Sequence, residues 1–305
     1  MTPASPTLKD VLRQVKRIEL RTERLVSSLA AGRYRSAFKG QGLEFDEVRE
    51  YTPGDDVRTI DWNVTARAGR PYVKVFREER ELTTMLLVDV SGSMRFGAIP
   101  AISPRAKLAL AAEAAAVVAV TALRNHDRIG LTAFSDRSEL HLPPRKGRGH
   151  AMRLLREVLA AQARHGRGTD IAAALDALVA HAKKRTVCFL VSDFLSGDEA
   201  LARALARAAR RHDVVGLRIA DPAEQALPAG ATPLVLADPE GDEELVLSAG
   251  RHARAAYAAA YAAQRGRVQS LFRAAGCDLV DLSTDQPAFT AMSRFFAQRR
   301  RRIHA

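Results

Sequence analysis

Asp89, Ser91 and Ser93 stand two residues apart just after an apolar run, and two further oxygen donors, Thr169 and Asp193, lie downstream. Two carboxylates and three hydroxyls form an all-oxygen donor set, which suits a hard cation such as Mg²⁺ or Mn²⁺ rather than zinc. Magnesium takes six ligands and usually keeps several waters. With two acidic residues the shell would under-neutralise a divalent ion, so a carboxylate from a partner protein would be a favourable further ligand. Each residue alone has an ordinary explanation. Asp89 could cap a turn, Ser91 and Ser93 could bond loop amides, and Asp170, next to Thr169, reads as a helix cap rather than a ligand.

Other chemistries fit less well. A phosphotransferase of the haloacid-dehalogenase kind needs a second Asp two residues after the first, where this chain has Ser91. A serine hydrolase wants Gly-x-Ser-x-Gly, and Val90-Ser91-Gly92-Ser93-Met94 does not supply it. No Gly-x-x-x-x-Gly-Lys-Ser/Thr run is present to cradle a nucleotide. His126, His141, His150 and His165 lie in or near expected loops with no group to orient them. Nothing therefore stands beside the oxygen cluster as nucleophile or base, and a non-catalytic binding role is the expectation. A hydrolase using the same cation as Lewis acid is the alternative.

The cluster needs elements that bring its parts together. From Leu82 onward, short apolar runs rich in Val, Leu and Ile alternate with helical stretches. The pattern predicts strands over 83–90, 129–134, 187–191, 214–219 and 277–282. Helices are expected over 107–123, 150–162, 170–183, 198–211, 251–274 and 287–302. Glu139–Leu142 follows the second strand after only Ser135-Asp136-Arg137, too short for a crossover helix, and should pair antiparallel. The expected fold class is α/β, doubly wound, with a mostly parallel sheet and one antiparallel edge strand. Residues 1–80 read as a small α+β appendage with a helix over Leu8–Ala30, and 81–305 as the main domain. A Pro- and Gly-rich stretch at about 221–249 reads as an inserted hairpin. If the first and fourth strands are neighbours, Asp89, Thr169 and Asp193 converge at the carboxyl end of the sheet.

The 305 residues are 47% hydrophobic and 27% charged, ordinary for a globular protein. The formal net charge of +12 invites a nucleic-acid reading. Most Arg residues, however, sit among Ala in expected helices, and only Arg299–Arg302 forms a basic cluster, so nucleic-acid binding is disfavoured. Cys188 and Cys277 are too few for a disulfide framework, and Cys188 lies in an apolar run as an inert thiol. The N-terminus has no signal-peptide core, and the longest apolar stretch, Leu108–Leu123, falls short of a membrane span. A cytoplasmic protein without membrane insertion is expected.

Asp-x-Ser-x-Ser followed by a Thr and an Asp resembles the metal-ion-dependent adhesion site (MIDAS) of von Willebrand factor A domains, and Asp89, Ser91, Ser93, Thr169 and Asp193 fill all five positions. Further stretches narrow the resemblance: Phe38-Lys39-Gly40-Gln41-Gly42-Leu43-Glu44-Phe45, Arg49-Glu50-Tyr51-Thr52-Pro53-Gly54-Asp55-Asp56-Val57-Arg58, Ile60-Asp61-Trp62-Asn63 and Leu142-Pro143-Pro144-Arg145-Lys146-Gly147. Together these resemble the family called domain of unknown function fifty-eight over about Gly32–Phe296. The resemblance implies a cytoplasmic bacterial von Willebrand factor A-like protein, encoded beside a MoxR-type AAA+ ATPase. It would act with that ATPase in chaperone-like assembly or maturation of client proteins. Trp62, the only Trp, is expected to pack against the main domain rather than to form a docking surface.

Overall fold

A computed structural model describes residues 43–78, 81–99, 105–161, 168–195, 199–228, 233–240, 244–248 and 250–304. The helix expected over Leu8–Ala30 lies outside them. The chain divides into a small unit, Lys39–Leu82, and a larger one containing Thr83–Ala305.

In the small unit, β1 (Leu43–Glu50) pairs antiparallel with β2 (Tyr72–Glu78), with the register shifting between Phe45 and Glu47. The turn after β1 is clamped by Arg49, which donates to both Asp55 carboxylate oxygens at 2.8 and 2.6 Å. These bonds, with that from the Thr52 amide, hold the Asp55 carboxyl well below the usual carboxylate range. Asp61 caps α1 (Trp62–Ala68) by accepting from the Asn63 and Val64 amides, and Gly69 ends the helix at φ 67°. Trp62, at the first position of that helix, is 70% exposed, unlike the packed ring expected of it. A residue in the first turn of a short capped helix need not face a core.

The larger unit is built on a six-stranded sheet of order β10-β7-β6-β3-β4-β5. Its strands are β3 (Thr83–Asp89), β4 (Arg128–Phe134), β5 (Ser138–Arg145), β6 (Val187–Ser192), β7 (Asp213–Ala220) and β10 (Asp278–Ser283). Every pairing is parallel except that of β5 with β4. The Ser135-Asp136-Arg137 turn enforces this exception, closed by the Ser135 amide donating to the Arg137 carbonyl at 2.9 Å. The sheet is thus the expected α/β type, mostly parallel with one antiparallel edge.

Burial of β3 and β6 on both faces follows from their unbroken apolar sequences. On one face Met85, Leu87 and Leu190 pack with α4 (Ile171–His181), α5 (Glu199–Arg211) and Val268 and Phe272 of α6 (Arg251–Ala274). The other face carries α2 (Lys107–Arg124), which packs against α3 (Arg148–Ala160) and α7 (Ala288–His304). Ala111, Ala112, Ala114, Ala115 and Ala116 of α2 are all buried, and such small side chains permit close approach to the sheet. Beyond the sheet, β8 (Pro233–Ala237) and β9 (Glu244–Ser248) form a separate antiparallel hairpin.

Chain order decides where a site can form. From β3 the chain passes to β4 on one side, and later returns to β6 on the other. The strand order therefore reverses at β3, and the crevice between the carboxyl ends of β3 and β6 is where such sheets bind ligands.

Candidate metal centre

Asp89 is the last residue of β3 and Asp193 follows the last residue of β6, so neighbouring strands deliver both carboxylates to the switch point. Asp89 is fully buried. Its Oδ1 accepts from the Ser91 amide at 2.9 Å, and its Oδ2 accepts from the Ser192 hydroxyl at 2.6 Å. Ser91 and Ser93 are buried as well, and their hydroxyl oxygens lie 3.1 Å apart. The Thr169 loop is tied to the same end of the sheet through the next residue, whose amide donates to the Ser135 carbonyl at the end of β4 at 2.8 Å. Asp170 is a cap, as expected: its side chain accepts from the Ala173 amide at the start of α4.

The turn after Asp193 is backbone-strained. Phe194 takes φ 54° although it has a full side chain. Its buried ring, set edge-on to Phe272 with centroids 5.2 Å apart, holds it there. Gln264 of α6 donates to the carbonyls of Phe194 at 3.2 Å and Leu195 at 2.7 Å. The loop that carries Asp193 is thereby fixed from two sides.

Four participants were not legible as such in the sequence. Ser192 orients Asp89, and only its position at a strand's carboxyl end hinted at a role. Lys107, at the start of α2, is wholly buried and donates to Asp193 Oδ2 at 2.7 Å and to Glu224 Oε1. A lysine opening an Ala-rich helix would ordinarily be read as solvated. Glu224 is positioned by a capping box with Asp221. Glu240, at the tip of the β8–β9 hairpin, accepts from the Thr169 hydroxyl at 2.8 Å.

The electrostatics distinguish the two aspartates. Burial, reinforced by the nearby Asp193 charge, pushes the Asp89 carboxyl up to about 7, against the opposing bonds from Ser192 and Ser91. Burial alone would lower Lys107, but Asp193 and Glu224 together carry it above its ordinary value. Asp193 therefore has a buried cation for partner, whereas Asp89 pairs with no cationic side chain among the described residues. A buried carboxylate without a counter-charge is costly, and a bound cation would relieve the cost.

The donor set fits a divalent ion in a second respect. Adjacent ligands of an octahedral ion at ~2.1 Å lie about 3 Å apart, close to the separation of the Ser91 and Ser93 hydroxyls. Among the described residues no three His, Cys, Asp or Glu side chains gather as a metal site on their own, so any shell here must draw on the hydroxyls.

The profile described as "Protein of unknown function DUF58" matches residues 47–267. The chain belongs to this family. An uncharacterized protein of Mycobacterium tuberculosis is 35% identical to this DUF58 protein over 290 residues, covering 94% of this chain and 89% of the relative. A shorter uncharacterized protein of Mycobacterium avium is 32% identical over 161 residues, covering 52% of this chain and 94% of its own. Among solved structures, the conserved hypothetical protein BatB from Bacteroides thetaiotaomicron is similar with a TM-score of 0.46 and 16% identity, over 72% of this chain and 99% of that one. A von Willebrand factor type A protein from Catenulispora acidiphila is similar with a TM-score of 0.40 and 15% identity, over 75% of this chain and 44% of that one.

Proposed function

We propose that this DUF58 protein is a metal-dependent protein-interaction module, with Asp89, Ser91, Ser93, Thr169 and Asp193 holding Mg²⁺ or Mn²⁺. The observation that carries the reading is a buried carboxylate with no cationic partner beside a pair of buried hydroxyls, at the switch point of the sheet. A cation bound there supplies an electrophilic centre for a carboxylate of the partner. Ser192 and the Ser91 amide orient Asp89, and Lys107 fixes Asp193, so the donors are arranged before any partner arrives. No histidine is bonded to any of the five residues, and no Ser–His pair lies among them, which favours binding over catalysis.

The resemblance of the chain's motifs supports a finer reading. The protein would be a cytoplasmic adaptor working with a MoxR-type AAA+ ATPase in the assembly or maturation of clients that present an acidic side chain. Among the described residues no helix is long and apolar enough to cross a membrane. The test is recovery of partners from the native host with and without chelator, using wild type and Asp193→Ala. Loss of the ATPase or client under both treatments is the expected result, and recovery indifferent to both would sink the metal-bridged reading. Mg²⁺-dependent turnover of phosphate esters that disappears in Asp89→Ala would instead make the protein a hydrolase.

A further inference from the structure

The β8–β9 hairpin reaches the metal centre from within the chain. Thr169, one of the five donors, gives its hydroxyl proton to Glu240 Oε1 at 2.8 Å. Gly92, between Ser91 and Ser93, lies so close to the hairpin tip that a Cβ there would stand 2.0 Å from the Pro239 carbonyl oxygen and 3.3 Å from the Glu240 amide nitrogen. Two separate parts of the donor set thus touch the same three-residue tip. The tip is itself ordered: Asp238 Oδ1 accepts from the Glu240 amide at 2.9 Å, a turn that aims the Glu240 side chain.

We propose that Glu240 is a carboxylate ligand supplied by the chain itself, standing where a partner's carboxylate would otherwise enter. This rests on the metal reading above and names what regulates that site. The chemistry is that of the missing ligand. Asp89 and Asp193 under-neutralise a divalent ion, part of the Asp193 charge is already engaged by Lys107, and Glu240 is the further carboxylate bonded to a member of the shell. A threonine oxygen can offer a lone pair to a cation while its proton remains on a carboxylate, so the Thr169–Glu240 bond is compatible with both acting together.

The same hairpin is suited to give way. It is two-stranded and joins no other strand, and Val235, Leu245 and Val246 are 60%, 60% and 64% exposed. A two-stranded ribbon with so little apolar burial is held weakly. An acidic partner segment therefore competes with Glu240 for one place, and binding lifts the tip from Gly92.

The experiment is calorimetric titration of Mn²⁺ into the full, chelator-stripped chain, with and without excess acetate, for wild type, Glu240→Ala, Glu240→Gln and Asp89→Ala. Wild type should bind Mn²⁺ with an affinity indifferent to acetate. Glu240→Ala should bind roughly tenfold more weakly and recover most of the loss when acetate fills the place. Glu240→Gln can still accept from Thr169 and should be weakened without rescue, which separates a ligand from a hairpin peg. If wild type binds no Mn²⁺, the metal reading fails and takes this one with it. If wild type binds, Asp89→Ala does not, and Glu240→Ala matches wild type with or without acetate, the assignment of Glu240 alone is overturned.

Discussion

Lys107 shows how much of the site depends on one buried charge. Its ammonium is enclosed with Asp193 and Glu224, and removing it leaves two carboxylates without their cation. Lys107→Met should cost about 3–5 kcal/mol, read as a fall in the urea midpoint. Adding Glu224→Gln should restore part of the loss, because one of the stranded charges then disappears. Asp89 gives the pH dependence. Its folded pKa is raised to about 7, above the unfolded value near 3.9. The fold therefore retains a proton that the unfolded chain has lost. Stability of the metal-free protein should fall as pH rises from about 4 through about 7, and that slope should flatten in Asp89→Asn. A cation needs the ionised form, so the melting-temperature rise on adding Mn²⁺ should grow between about pH 6 and pH 8. The five donors were legible because their types and order carry the chemistry. Lys107, Glu224 and Glu240 were not, because each lies beside the donors only through chain folding, tens of residues away in sequence.

At the scale of elements, unbroken apolar runs announced β3 and β6 as doubly buried parallel strands, and a three-residue turn announced β5 as antiparallel. Those inferences need only local sterics. The hairpin was legible as a hairpin, but nothing local says that its tip meets Gly92. Close packing inside the elements shows the same division. Gly216 in β7 reads as an ordinary strand glycine, yet an added Cβ would meet the Phe272 ring at 2.4 and 2.6 Å and Leu279 at 2.7 Å. Its neighbours are a ring and a leucine locked in the core, so the strand cannot shed the strain cheaply. Gly216→Ala should destabilise by ~1–3 kcal/mol through overpacking. Chemical denaturation would measure it, and an unchanged midpoint would mean that α6 can move outward.

At the scale of the molecule, positive charge is widely neutralised within the larger unit rather than gathered into a stripe. Arg207 pairs with Asp176, Arg218 with Asp281, and Arg299 with both Asp213 and Asp278. Arg299 belongs to the basic cluster at the C-terminus, and here it ties α7 to the first residues of β7 and β10. The end of α7 therefore acts in part as a structural clamp, which weakens the case for a nucleic-acid-binding tail. All six strands of the central sheet, every proposed metal donor and the hairpin that carries Glu240 belong to the larger unit. The small unit, by contrast, buries little apolar surface of its own. A chain beginning at Thr83 should then retain the cooperative unfolding of the sheet and bind Mn²⁺ within about twofold of the full protein, well inside the change caused by losing a ligand. Calorimetry on the two proteins side by side would check it. A truncated chain that folds but binds no Mn²⁺ would show that the Lys39–Leu82 unit contributes directly to the site, and the assignment of the donors to one unit would have to be abandoned.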